Sequence, residues 1–279
     1  MNSLKITVLV ENTAGKLGVL AEHGLSFLIE TGGEKVLFDS GQGFVLKHNL
    51  QRLDLSLTNV KTVALSHGHY DHTGGLADAL SMMSTPAIYA HPSVIDPKFA
   101  RNADGGSRFI GMSGLNRDAL LHSDWIRTAE PVELPGGLRL TGPIPRIASF
   151  ENTGGPFYRD TGCTESDPLE DDQAAFIETG NGTVVILGCA HAGVINTLRY
   201  IQSLTNNRPV HTVIGGMHLH GASEKRMNRT VTALRELNTR RIFACHCTGF
   251  AAAARLANEF TGRVSACPVG TIVSMEADA

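Results

Sequence analysis

No stretch of about eighteen consecutive apolar residues occurs in the sequence, which leaves no segment able to cross a bilayer as a helix. The opening residues Met1-Asn-Ser-Leu-Lys-Ile6 lack an apolar core followed by a small-residue cleavage site, so no secretory leader is expected and the setting is read as cytoplasmic. Positive charge is in deficit as well: 24 Lys and Arg stand against 27 Asp and Glu, a formal net charge of -3. The nearest basic cluster, Lys225-Arg226 with Arg229, is too short to follow a nucleic-acid backbone, and no nucleic-acid partner is expected. Cysteine is sparse and odd in number, at Cys163, Cys189, Cys245, Cys247 and Cys267, and no second close pair exists to build a four-thiolate zinc knot. Reduced thiols are expected rather than disulfide staples. Charged residues make up only 18% of the chain and hydrophobic ones 42%, a balance that suits a folded protein of 279 residues with a sizeable core.

Against these absences, one stretch is dense in chemistry: Thr62-Val-Ala-Leu-Ser-His-Gly-His-Tyr-Asp-His-Thr-Gly-Gly75. Thr62 to Leu65 reads as a buried strand that ends in His67, His69, Asp71 and His72. Nitrogen and carboxylate donors are thus delivered from a backbone held rigid on one side. Around it, Ile6 to Val10, Leu25 to Glu30, Lys35 to Phe38 and Ala87 to Ala90 read as strands. Helices are expected to start at Phe44 and over Leu76 to Met83. From Ser93 to Trp125 the pattern is broken by Pro97, Gly105-Gly106, Gly111 and Gly114, and reads as an irregular insertion suited to substrate recognition. The acidic run Glu165 to Asp172 reads as a solvated loop. No internal linker is long, flexible and polar enough to divide the chain, so residues 1–279 are read as one domain.

The last hundred or so residues repeat a plan of strand, glycine or histidine corner, helix. Thr183 to Leu187 runs into Gly188-Cys189-Ala190-His191, Val210 to Ile214 into Gly215-Gly216-Met217-His218-Leu219-His220, and Ile242 to Cys245 into His246. Corners at strand ends deliver side chains to one edge of a sheet, where layered α/β proteins bind ligands. Hairpins early and crossovers late predict an α/β fold of two mixed sheets face to face with helices outside.

His67 and His69, two apart, can reach one ion, and His191 is the expected third ligand. Asp71 and His72 are adjacent and must diverge, which favours a second ion completed by His246. Asp71 is a ligand first and a candidate proton acceptor second. His218 is the candidate for contact with substrate in the pocket, while Cys189 is a soft ligand or its neighbour. Cys245 and Cys247 are read as packing and loop residues, His220 as peripheral, and His23, His48, His122 and His211 as having no site setting. One or two divalent ions are expected, zinc first, with manganese or iron as alternatives. Such an ion lowers the pKa of a bound water to about 7, and a second can clamp a phosphate or carboxylate oxygen.

The stretch Ser66-His-Gly-His-Tyr-Asp-His-Thr-Gly-Gly75 is the His-x-His-x-Asp-His motif, and with it the chain resembles the metallo-β-lactamase fold superfamily. The resemblance implies an αββα four-layer sandwich with one or two zinc, iron or manganese ions at the sheet edges. Glu11-Asn12-Thr13, Gly188-Cys-Ala-His-Ala-Gly-Val-Ile-Asn-Thr197, Ile214-Gly-Gly-Met-His-Leu219 and Cys245-His-Cys-Thr-Gly249 resemble the branch that includes the archaeal dihydropterin ribofuranosylaminobenzene phosphate synthase. The chain departs from dinuclear members in two ways. Gly188-Cys189 stands where they have a bridging aspartate, and Leu138 to Glu178 contains no histidine where they have one, a position that His191 takes over. One ion and two are both compatible with this set.

The resemblance and the ligands imply a metal-dependent enzyme acting on a small anionic substrate that carries phosphate or pyrophosphate. A synthase-like transferase leads, a hydrolase of a small phosphate ester or lactone is the alternative, and a non-catalytic metal-stabilised sensor is the reading from another class. An RNA-processing nuclease would need a basic groove or an exosite arm, and neither is visible. No membrane partner is expected, and no feature specifies an oligomeric state.

Overall fold

In Ser26–Thr31 the apolar side chains alternate, so Phe27 and Ile29 leave one face and Leu28 the other, yet all three are fully buried. A strand buried on both faces has to lie between layers. The computed structural model, which describes residues 3–275, shows those layers.

The first half of the chain supplies β1 (Leu4–Val10), β2 (Ser26–Thr31), β3 (Glu34–Phe38), β4 (Thr62–Ala64), β5 (Ala87–Ala90), β6 (Phe99–Arg101), β7 (Ser107–Phe109) and β8 (Asp124–Arg127). The rest of the chain supplies β9 (Val132–Glu133), β10 (Arg139–Leu140), β11 (Phe157–Tyr158), β12 (Ala175–Thr179), β13 (Gly182–Leu187), β14 (Val210–Gly215), β15 (Arg241–Ala244), β16 (Val264–Ala266) and β17 (Ile272–Met275). Two seven-stranded mixed sheets result, ordered β17-β1-β2-β3-β4-β5-β8 and β16-β15-β14-β13-β12-β10-β9. Helices α1 (Leu46–Arg52), α2 (Tyr70–Thr73), α3 (Leu76–Ser81) and α4 (Gly114–Leu121) come from the first half, and α5 (Val194–Leu204), α6 (Glu224–Glu236) and α7 (Phe250–Glu259) from the second.

The two sheets bury their facing sides on one another, with Ile6, Phe27, Ile29 and Phe38 from the first against Ala175, Val184, Ile186 and Ile214 from the second. The opposite side of the first sheet, Leu9, Leu28, Leu37 and Val63, packs on Leu46 and Leu50 of α1, Leu76 of α3 and Leu120 of α4. The opposite side of the second, Val185, Leu187 and Val213, packs on Leu198 of α5, Val231 of α6 and Leu256 of α7. This is the αββα sandwich that the family resemblance implied, with the two face-to-face mixed sheets expected from early hairpins and late crossovers. Among the described residues no helix is long and apolar enough to cross a membrane.

Two parallel registers fix where the site forms. Phe38 of β3 pairs with Ala64 of β4, so Asp39 and Ser66 leave the first sheet side by side. Leu187, Gly215 and Ala244 align across β13, β14 and β15, so the three histidine corners leave the second sheet at one level. Gln173 ties the two edges together: its backbone N–H donates to the Ser66 carbonyl at 3.0 Å and its side-chain amide to the Leu65 carbonyl at 2.8 Å. Gly188 is demanded here, because a Cβ at that position would overlap the Ser66 side chain.

Two elements differ from the reading of the sequence. Within Ser93 to Trp125, β6 and β7 join β11 in a separate three-stranded sheet, whereas Trp125 belongs to β8, which pairs in parallel with β5 at the edge of the first sheet. The acidic run Glu165 to Asp172 is not a solvated loop: Asp167, Asp171 and Asp172 are buried. The charges of Asp171 and Asp167 are met by Lys98, itself only 2% exposed, whose ammonium lies 3.0 Å from the first and 3.2 Å from the second.

Candidate metal centre

Strand β4 ends one turn before α2, so His67 and His69 fall in the connection and Asp71 and His72 in the single helical turn that follows. His67 Nε2 lies 3.0 Å from His69 Nδ1, and the ring of His191, beyond β13, is centred 4.8 Å from that of His67 and 4.9 Å from that of His69. On the other side, His72 Nε2 lies 3.3 Å from His246 Nε2, and Asp71 Oδ2 lies 3.4 Å from the same His246 nitrogen. Cys189 joins the halves, with its Sγ 3.2 Å from His72 Nε2. The donor atoms of His67, Cys189 and His191 all lie within 4.8 Å of one another, and so do those of His72, Cys189 and His246. All six residues that the sequence singled out as ligands are therefore brought together at the meeting of the two sheet edges.

The far side of four rings is anchored. A carboxylate or carbonyl oxygen can only accept, so His72 Nδ1 donates to Asp39 at 2.7 Å and His191 Nδ1 to the Thr153 carbonyl at 2.8 Å. His246 Nδ1 meets the Asn12 amide oxygen at 2.9 Å. His67 Nδ1 meets Ser66 Oγ at 2.9 Å, whose own O–H donates to Asp39 at 2.7 Å. Each Nδ1 thus finds an oxygen outside the cluster and each Nε2 faces the interior, the arrangement that orients metal-ligating histidines.

His191 Nε2 is buried and has no hydrogen-bond partner among the described residues. An acceptor left so costs about 1–3 kcal/mol, and a divalent cation is the partner that the surrounding imidazole, carboxylate and thiol donors fit. Burial pushes His67 and His191 well below the usual imidazole range, aided by neighbouring imidazoles, and brings His69 to about 3, so these rings are neutral near pH 7. Burial would raise Asp71, yet His72, His23 and His246 hold its carboxyl well below the usual range. Burial also opposes a proton on His72, but the Asp39 and Asp71 carboxylates outweigh it and raise that ring.

Three residues stand closer to the site than the sequence suggested. His23, read as having no site setting, places Nε2 3.2 Å from Asp71 Oδ2 and its ring 5.2 Å from that of His246. The loop before β2 carries it there, held by a hydrogen bond from the Leu25 N–H to the Asp71 carbonyl. Cys247, read as a loop residue, turns inward and accepts the His218 backbone N–H at 3.3 Å. Burial opposes its ionisation, but the hydrogen bond from Cys189 and the imidazoles of His218 and His246 hold its thiol well below the usual range. Asp39, immediately past the end of β3, is the shared acceptor for Ser66 and His72. Its signal was an acidic residue just past a strand end.

The acidic run supports the centre from behind. Asp171 accepts the Gly68 N–H at 2.7 Å, between His67 and His69, and Asp172 accepts the Ala192 N–H at 2.7 Å, next to His191. Burial raises the Asp172 carboxyl to about 7.

Above the donors lies a cavity of about 770 Å³, large enough for an organic substrate. Phe157 of β11 walls it, with ring centres 5.1 Å from His69 and 5.3 Å from His191, and Arg101, Arg108 and His218 also line it. The ring of His218 is centred 4.4 Å from that of His191.

Asp39→Asn is expected to weaken divalent-metal affinity about 10–100-fold with the fold intact, since outer-shell partners of ligating histidines carry effects of that size. Competition against a chromophoric chelator measures it, and an unchanged affinity would count against the anchoring role.

Together the sandwich and the edge cluster define a layered α/β protein with donor groups able to coordinate a divalent metal. Residues 20–246 match the model of the metallo-beta-lactamase superfamily, and the chain belongs to that superfamily. It is 30% identical over 276 residues to a 7,8-dihydropterin-6-methyl-4-(beta-D-ribofuranosyl)-aminobenzene-5'-phosphate synthase of Methanocaldococcus jannaschii, spanning 93% of this chain and 92% of the relative. An uncharacterized protein of the same organism is 34% identical over 254 residues, spanning 90% and 93%. A solved structure described as a metal-dependent hydrolase of the beta-lactamase superfamily matches with a TM-score of 0.84 at 30% identity, over 99% of this chain and all of the other.

Proposed function

We propose that the chain is a metal-dependent enzyme acting on a small phosphorylated or pyrophosphorylated molecule, in a synthase-like transfer, a reading supported by its likeness to the archaeal synthase. The observation that carries this reading is the convergence of His67, His69 and His191 with Asp71, His72 and His246, joined through Cys189, beneath a cavity with Arg101 and Arg108 on its lining. The first three residues and the second three are the proposed holders of one or two ions, with zinc favoured by the nitrogen and sulfur donors and manganese or iron as alternatives. A divalent ion bound there supplies Lewis acidity to a phosphoryl oxygen and charge to steady a leaving anion.

The chain's own groups do the rest. Arg101 and Arg108 attract and orient the anionic end of the substrate. Phe157 covers the donors and excludes water from them. Asp71 serves as a ligand first, and His218, facing the cavity, contacts the reacting group.

A second reading, hydrolysis of a small phosphate ester or lactone, is favoured by the likeness to the structure described as a metal-dependent hydrolase. Metal-loaded protein incubated with a dihydropterin pyrophosphate, with and without an aminobenzene riboside phosphate, tests both. Pyrophosphate release that requires the second substrate is the result expected for transfer, and release without it favours hydrolysis. Bound metal with no turnover on these or on a panel of phosphate esters and lactones would overturn the enzyme reading in favour of a sensor.

A further inference from the structure

Cys189, His218 and Cys247 form a donor group that the His-x-His-x-Asp-His motif does not contribute to. The donor atoms of the three lie within 4.8 Å of one another, and all three residues line the cavity. The fold places them by the register already described: they follow the aligned ends of β13, β14 and β15 by two, three and three residues. The corners are then locked to each other, since Met217 N–H donates to Thr248 Oγ1 at 3.1 Å and His218 N–H to Cys247 Sγ at 3.3 Å. His218 sits in the left-handed region, with φ 46°, and its ring rests against Gly154, where a Cβ would overlap it. His218 Nδ1 is itself buried without a hydrogen-bond partner among the described residues.

Two thiols and an imidazole with an open side are the donor set of Cys₂His zinc sites, in which a fourth position stays free. Sulfur donors select soft cations. We propose that Cys189, His218 and Cys247 hold a thiophilic cation at a position separate from the histidine-aspartate clusters. On binding, a metal–sulfur bond forms to each sulfur as its thiolate, and whatever proton each sulfur still carries leaves to solvent. Occupancy draws Cys189 away from both clusters and His218 away from substrate, so a soft cation in excess inhibits the enzyme. The site does not rest on the proposed reaction, and its test does not use turnover.

The test is a cadmium titration of the reduced full-length chain, read by sulfur-to-cadmium charge-transfer absorption. The wild-type protein is expected to show the intensity of two thiolates, Cys247→Ser about half of it because one of the two sulfurs is gone, and His218→Asn weaker cadmium affinity at full intensity. Circular dichroism checks that each variant is folded. A second measurement needs no variant: cadmium should protect Cys247 from iodoacetamide in the wild-type chain, read by mass spectrometry. Full intensity in Cys247→Ser, or alkylation of Cys247 at an unchanged rate with cadmium bound, would overturn the proposal.

Discussion

Replacing His191 with alanine is expected to strip tightly held divalent metal from the protein and to lower turnover by about a hundredfold or more. Outer-shell partners alone carry effects of about 10–100-fold, and His191 is a proposed direct donor whose Nε2 has no hydrogen-bond partner among the described residues. The fold should survive, because the substitution removes a buried lone pair that is unsatisfied when no metal is bound. Elemental analysis of the purified variant beside the parent, with far-ultraviolet circular dichroism on both, gives the answer. A folded variant that retains the parent's metal content would show that His191 is no ligand.

The second large effect is on stability. Lys98→Met is expected to destabilise the chain by about 3–5 kcal/mol, the cost of leaving buried charge without its partner, since Lys98 is 2% exposed between Asp167 and Asp171. In the parent both partners shift upward, which looks contradictory until the charges are counted. Burial opposes the charge on Lys98, but two carboxylates outweigh it and raise its pKa. Asp171 is raised by burial first and by the like charge of Asp167, and a single ammonium does not cancel both.

The sign of the pH dependence follows. A carboxyl with a raised folded-state pKa takes up a proton more readily folded than unfolded, so its cost is absent below the unfolded value of 3.8 and grows as pH rises through the folded one. Without Lys98 the folded value of Asp171 rises further. The deficit of the variant should therefore be largest near neutral pH and shrink in acid, as urea denaturation of both proteins would show. A deficit that does not vary with pH would point to lost packing instead of unpaired charge. Because Asp171 also holds the Gly68 N–H between His67 and His69, the same variant should bind metal more weakly.

What was legible in the sequence tracks how local each signal is. His67, His69, Asp71 and His72 lie within six positions of one another behind a buried strand, so they announced themselves without tertiary knowledge. His191 and His246 could be picked out because strand ends in a layered α/β fold point at one edge, and the parallel registers of β13, β14 and β15 bring them there. The acidic run misled because burial of Asp171 depends on a lysine 73 positions away, a partner that no local pattern announces. His23 was missed for a similar reason: its loop reaches Asp71 only after β2 has paired. Strands of two or three residues, such as β9, β11 and β16, are too short to show alternation, and β17 depends on pairing with β1 from the other end of the chain.

The account stands on metal held where the two sheet edges meet. A zinc-edge anomalous difference map from crystals of the full chain purified with its metal tests that most directly. The prediction is a peak bounded by His67, Cys189 and His191, with any second peak bounded by Asp71, His72 and His246. Strong peaks elsewhere, with none among these side chains, would contradict it.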